Sequence, residues 1–414
     1  MKLLAVLFAA SLLLRLIALW TVPEPVLSTN ASIAFLGGAH LLVEGKGFSD
    51  PAYPIFTPPL YAMFIALCSV YFGDDQMPVK IAQTIADSLT VIVLYFILLE
   101  VFTEKVALLS CALWAIYPFA IYPTLYIGSE TFFTFFLSVF ALLIIYAIKN
   151  QKLRYYCGAG ILLGLATLTR GATLFFPLVF PFLLFVYHKH VNRVALNSLV
   201  FCLSFASVIL PWTIRNYIVL GEFIPVQTAG EAVLQGSSEK FFTIDGKAKE
   251  YPKYFEMLRA KGIEPPPNGS LYPEFDKFLI RAGIENYKSR LQNDPLSFIP
   301  LLLKKFFRLW YATESGHNQG IILAVNMLIY LFGLSGIILA LVKTKQFAWL
   351  LASIMVYFVV LHWLTHPLFR YMIPIMPYAI AFGGFAFIEI TKNLKVCNLR
   401  SHGNEDDLQS RTVN

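Results

Sequence analysis

Long apolar stretches alternate with short polar ones along this chain, and their lengths set the architecture. Runs of membrane-spanning quality cover residues 3–20, 81–101, 106–126, 132–148, 158–168, 173–186, 196–214, 321–342, 347–363 and 371–390. A helix rises about 1.5 Å per residue, so about 20 apolar residues cross a hydrocarbon core of roughly 30 Å. The runs at 158–168 and 173–186 are shorter, and read as a tight hairpin bent at Thr169, Arg170 and Gly171. Residues 59–72 are apolar too, but reach only about 21 Å as a helix. They are expected to lie in the outer interface, with Tyr61 and Tyr71 at headgroup depth. The pattern predicts an all-α polytopic membrane protein of about ten transmembrane helices.

Composition agrees with this pattern and charge orients it. With 57% hydrophobic and 14% charged residues and a mean hydropathy of +0.66, the chain lacks the roughly 25% charge of soluble domains. The net charge of +7 does not point to nucleic acid, because Lys and Arg cluster between apolar runs, at 103–105, 149–154, 188–193, 343–346 and 392–400. Such clusters mark cytoplasmic loops, and ten crossings place all of them, and both termini, on that side. The first run follows Lys2 but contains Arg15 and precedes no small-residue cleavage site, so it reads as an uncleaved span. The five cysteines show no metal-ligand spacing.

Four parts follow: a transmembrane module at 1–214 with a first outer loop at 21–80, a small mixed outer domain at 215–319, further transmembrane helices at 320–392, and a disordered basic tail at 393–414. The outer domain holds the turn-rich "EPPPNGS" and the amphipathic "NDPLSFIPLLLKKFFRLW". "NAS" at Asn30 and "NGS" at Asn268 match the N-glycosylation pattern, which chance also produces often. "GAGILLG" at 158–164 suits close helix packing rather than nucleotide binding, since no strand precedes it.

Ionisable residues at the outward ends of spans are functional candidates. Glu130 lies there, where a carboxylate also suits a helix N-terminus. Arg170 sits at the hairpin tip and Arg370 beside Tyr371, each suited to bidentate phosphate contact and each also readable as a snorkelling or anchoring side chain. His366 could assist, against a structural reading. Arg215 is expected to tie the outer loop down, Asp87 to face the bundle interior, and Asp74 and Asp75 to form a solvated turn, with divalent-metal binding as the rival.

The order of several strings resembles the GT-C class of polyprenyl-phosphate-sugar-dependent glycosyltransferases, particularly the bacterial relatives of protein O-mannosyltransferases and lipid A aminoarabinose transferases. These strings are "AHLLVEGKGF", "PPLYAMFIAL" with "YFGDD", "WAIYPFAIYPTLYIGSETFF", "GAGILLGLATLTRGATLFFP", "PWTIRNYIVLGEFIPVQTAGEAVLQG", "KKFFRLW" and "HPLFRYMIPIMP". The resemblance implies an inverting transfer of one sugar from a polyprenyl-phosphate donor to a hydroxyl acceptor on the outer face of a bacterial inner membrane. A first-loop aspartate would serve as base, cationic groups would hold the phosphate, and a divalent metal is left open. No nucleic acid is implied. The chain departs from that pattern: Asn30, Ala31 and Ser32 stand where the aspartate is expected, and Thr57 where Lys or His often precedes the Pro-Pro pair. Asp50, with Glu44 as alternate, is then expected to be the base beside Glu130, and Arg170, Arg370 and His366 to bind the donor phosphate. A scaffold of the same kind that binds glycolipid without transfer is the rival, and a lipid-linked sugar flippase a weaker one.

Overall fold

The computed structural model describes residues 2–23, 30–50, 53, 55–188, 190–237, 259, 273–313, 316–343 and 345–411. The "EPPPNGS" turn, Asn268 and most of the centre of the expected outer domain lie outside them. The helices are α1 (Lys2–Thr21), α2 (Asn30–Val43), α3 (Pro59–Phe72), α4 (Met77–Val101), α5 (Glu104–Ile116), α6 (Pro118–Ile121), α7 (Glu130–Asn150), α8 (Leu153–Thr169), α9 (Phe176–Tyr187), α10 (Val191–Leu220), α11 (Gly230–Ser237), α12 (Pro273–Asn293), α13 (Pro295–Arg308), α14 (Gln319–Val342), α15 (Ala348–Leu364) and α16 (Met376–Arg411). No strand occurs among the described residues. The final helix continues through the segment whose composition predicts disorder.

Six of these helices are long and apolar enough to cross a membrane, or seven if α5 and its continuation form one broken span. The expected count of ten therefore exceeds what length and hydropathy support among the described residues. α9 and α15 are apolar but short. The run at 106–126 is not one helix: it bends by 61° after Ile116. Pro118 supplies no N–H to the Trp114 carbonyl, which keeps only the Tyr117 N–H at 3.2 Å. Arg15 from α1 fills that gap, donating to Ala115 O at 2.8 Å and to Trp114 O at 3.4 Å. Its charge is balanced by Asp87 on α4, and both side chains are buried.

The span Phe369–Leu394, α4 and α7 form the centre of the bundle and α1 and α14 its margin, as their buried shares show: 78%, 61% and 61% against 17% and 22%. α8 packs tightly on α10 because Gly160 and Gly164 lack side chains; a Cβ on Gly164 would come 2.7 Å from Val208, and one on Gly160 would strike the Phe201 carbonyl. This is the small-residue contact that membrane helices favour.

The two ends of the bundle differ in chemistry. At one, Lys149 pairs with Glu100 at 2.7 Å, Arg193 donates to Gln151 at 2.7 Å, and Glu389 binds Lys343 and Lys392. These residues come from the basic clusters between spans. α7 runs from there to Glu130, about 30 Å away by helical rise, and candidate site residues gather at that far end.

Candidate functional site

Glu130 opens α7, where the positive end of the helix dipole favours a carboxylate. The turn before it is clamped by the first outer loop. Gly128 N donates to Tyr61 Oη at 3.0 Å, Tyr61 donates to Gln83 Oε1, and Gln83 Nε2 donates to Tyr126 O at 2.9 Å. From α2, Ser32 Oγ donates to Ile127 O at 2.6 Å. Gly128 itself makes room: a Cβ there would lie 2.6 Å from Glu130 Oε2 and 2.6 Å from the Tyr126 ring. Tyr61 is thus buried at 1% exposure rather than standing at headgroup depth, whereas Tyr71 is 74% exposed. Interfacial preference describes tyrosines in general; here the hydroxyl finds better partners inside.

Arg170 reaches Glu130 Oε1 at 2.7 Å, with 14% and 6% of the two side chains exposed. It lies at the junction of α8 with a short 3-10 turn, Gly171–Thr173, at the expected hairpin bend. Among the described residues the only other hydrogen bond of its guanidinium is a long one of 3.4 Å to Ser129 Oγ. A guanidinium carries five N–H groups, so Arg170 retains donor capacity. Its Cζ rests 5.2 Å from the centre of the Tyr371 ring. Around that same ring stand Arg370, whose Nη2 donates to the Tyr371 hydroxyl at 2.8 Å, His366 at 5.2 Å, and His362, stacked at 4.7 Å. Glu130 lies within electrostatic reach of both arginines. Removal from water, first, and then the charge of Arg370 hold His366 neutral, well below the usual histidine range.

The structure thus brings together Glu130, Arg170, Arg370 and His366. It does not show Asp50 among them. Asp50 follows a 3-10 turn, Gly47–Ser49, and its charge acts on Arg215, Lys46 and Glu44. Arg215 donates to the carbonyls of Phe48 and Asp50 and lies 4.8 Å from the Trp212 ring, fastening the loop to α10. Glu44 pairs with Lys46 at 2.9 Å, both largely exposed. Between the groups runs the segment 224–228, held to α10 by Trp212 Nε1 on Val226 O at 2.7 Å and Asn216 Nδ2 on Ile224 O at 2.9 Å. Its Thr228 N donates to Ile55 O at 3.1 Å, and Gln227 packs over Gly171.

Sequence reasoning missed His362, Gln83, the clamp made by Tyr61 and Ser32, and Tyr371 as the hub. His362 carried a usable signal, an ionisable residue inside an apolar run four positions before His366. The donor set around Glu130 does not fit a divalent ion, since its carboxylate is engaged by Arg170 with Arg370 close by. No cluster of three or more His, Cys, Asp or Glu suited to a metal occurs among the described residues. Asp75 Oδ1 accepts from Met77 N at 2.9 Å, the solvated turn expected before α4.

Comparisons with known proteins bear on the GT-C resemblance. Residues 57–212 match the family model described as dolichyl-phosphate-mannose-protein mannosyltransferase. The apo oligosaccharyltransferase of Archaeoglobus fulgidus aligns with a TM-score of 0.61 at 14% identity, covering 97% of this chain and 52% of that one. The same enzyme tethered with an acceptor peptide gives 0.57 at 14% identity over 95% and 50%, and its complex with an inhibitory peptide and a dolichol-phosphate gives 0.56 at 13% identity over 97% and 51%. At such identity the likeness is one of fold, and the chain spans about half the length of that oligosaccharyltransferase. No curated protein sequence gives a significant match. The fold is GT-C-like, and the resemblance read from the motifs stands.

Proposed function

We propose that the chain transfers a single sugar from a polyprenyl-phosphate donor to a hydroxyl acceptor at the end of the bundle that carries Glu130, facing away from the cytoplasm. The observation that supports this most is the convergence of Arg170 and Arg370 on the Tyr371 ring beside Glu130, with Arg170 holding unused donors. A phosphate of the lipid-linked sugar competes with Glu130 for Arg170, and charge-assisted bonds to both arginines stabilise the leaving phosphate. Glu130, released, accepts the proton of the acceptor hydroxyl. The acceptor oxygen then bonds the anomeric carbon as its bond to the phosphate oxygen breaks, and the electron pair leaves with the lipid phosphate. On this reading Glu130, rather than Asp50, is the base.

One observation favours the rival, a scaffold that binds glycolipid without transfer: Asn30, Ala31 and Ser32 stand where the first-loop aspartate is expected, and Ser32 Oγ donates to Ile127 O. The test is to incubate purified protein with a panel of polyprenyl-phosphate sugars and measure both thermal stabilisation, which binding to the native state produces, and transfer to hydroxyl acceptors. Stabilisation with transfer supports the enzyme, stabilisation without it supports the scaffold, and no stabilisation by any donor overturns both.

A further inference from the structure

His362 stands on the last turn of α15, within a helix that is otherwise almost wholly apolar. It is only 8% exposed, and its Nδ1 is sealed from solvent with no hydrogen-bond partner. The ring lies nearly parallel to Tyr371, 9° from coplanar at 4.7 Å, and tilted against Phe358 at 6.0 Å. A phenylalanine would satisfy that packing equally. A buried polar atom without a partner costs about 1–3 kcal/mol, so packing alone gives no reason for a nitrogen here.

Its surroundings supply one. The charges of Arg170 and Arg370 both reach the His362 ring, and Arg170 lies over the same tyrosine that His362 stacks upon. An anion drawn to the two guanidiniums arrives beside the imidazole, where an N–H is the only polar group the ring can offer it favourably. Resting on the functional reading above, we infer that His362 is a third ligand-contacting residue: when the lipid-linked donor binds, its phosphate displaces the side chains that now seal Nδ1, and Nδ1–H donates a hydrogen bond to a phosphate oxygen. Tyr371 holds the ring in place by stacking, and the donor completes the hydrogen bonding that the protein leaves open. His366, the histidine that sequence favours, is then a neighbour of this contact.

The test uses the full chain in detergent and reads thermal stabilisation by undecaprenyl phosphate, undecaprenol and inorganic phosphate. Wild type is expected to respond to undecaprenyl phosphate alone. His362→Phe keeps the stack and loses the nitrogen, and its apparent affinity should fall about tenfold or more. His362→Asn places a carboxamide N–H near the position of Nδ1 and should stay within about threefold of wild type. If His362→Phe does not accumulate folded, His362→Met is read in its place. Wild-type affinity in the Phe or Met variant, or an Asn variant as weak as they are, overturns this assignment while leaving the functional reading intact. Equal stabilisation of wild type by inorganic phosphate overturns the lipid-linked source. A wild type that gains nothing from undecaprenyl phosphate overturns this contact, and the functional reading falls with it when the polyprenyl-phosphate sugars also fail to stabilise.

Discussion

Arg15 and Arg170 each face a carboxylate inside the same bundle, Asp87 and Glu130, yet their remaining donors are used differently. Arg15 is fully buried and also donates to Ser11 Oγ at 2.7 Å, Ser11 O at 3.1 Å and the carbonyls at the end of α5. Nothing is left over for a ligand. Arg170 has its carboxylate, one long contact to Ser129 and the face of Tyr371. The first pair closes a broken helix in the bundle; the second leaves a cation able to accept an anion. Charge and burial alike fail to separate the two pairs, whereas counting satisfied donors does.

The largest effect that would break this comparison is on stability. Removing one member of a saturated buried pair strands the other, at about 3–5 kcal/mol. Asp87→Ala should therefore abolish folded protein in detergent, and Arg15→Met combined with Asp87→Leu should recover most of it. An Asp87→Ala variant melting like wild type would show that Arg15 does not hold α5 as described. Glu130→Gln keeps an oxygen for Arg170, whose side chain is 14% exposed rather than fully buried, and should cost less stability than Asp87→Ala.

Activity should show the opposite order. Losing a general base costs about 100-fold or more, so Glu130→Gln should lose sugar transfer on that scale in membranes supplied with donor, while Asp50→Asn loses much less. The reverse ranking would return the role to Asp50. Arg370→Ala is expected to raise the apparent KM for donor about tenfold with a smaller change in kcat, as loss of one charge-assisted bond implies. An unchanged donor KM would remove Arg370 from the phosphate site.

What the sequence reveals of this comparison depends on how local the determinant is. The helix α3 begins at a Pro-Pro pair and ends at Gly73, whose φ of +76° suits glycine, so composition alone bounds it. The Arg170 bend is equally local. The destination of Arg15 is not: it closes the end of α5 a hundred positions away. Tyr61 reads as an interfacial anchor until Gln83 and Gly128 are seen beside it. Asp50 draws notice because it is a carboxylate in a long first loop, and hydropathy holds no information on which way that loop turns. His362 is half legible: its place in an apolar run marks it, but the two arginines whose charges reach it come from distant segments.

Lys305 sharpens the comparison at its smallest scale, because it is a cation saturated by neutral acceptors. It is 1% exposed, and Nζ donates to Gly236 O, Tyr287 Oη at 3.0 Å and Leu364 O at 3.3 Å. Three donors meet three acceptors from α11, α12 and α15, so Lys305 fastens the described outer helices to the bundle and, like Arg15, has nothing to offer a ligand. Among the described residues no carboxylate offsets its desolvation, and burial lowers its amine from the usual lysine range to about 7. The unfolded chain, with its ordinary lysine pKa near 10.4, then binds more protons than the folded one between about 7 and 10, so stability contributed at this site rises with pH across that window. The slope cannot exceed about 1.4 kcal/mol per pH unit. The melting temperature of wild type should climb from pH 7 to 9 relative to Lys305→Met, in which the amine is replaced by an apolar chain of similar length. Parallel pH profiles for the two proteins would mean that the ammonium is not desolvated, and that Lys305 is as open to an anion as Arg170.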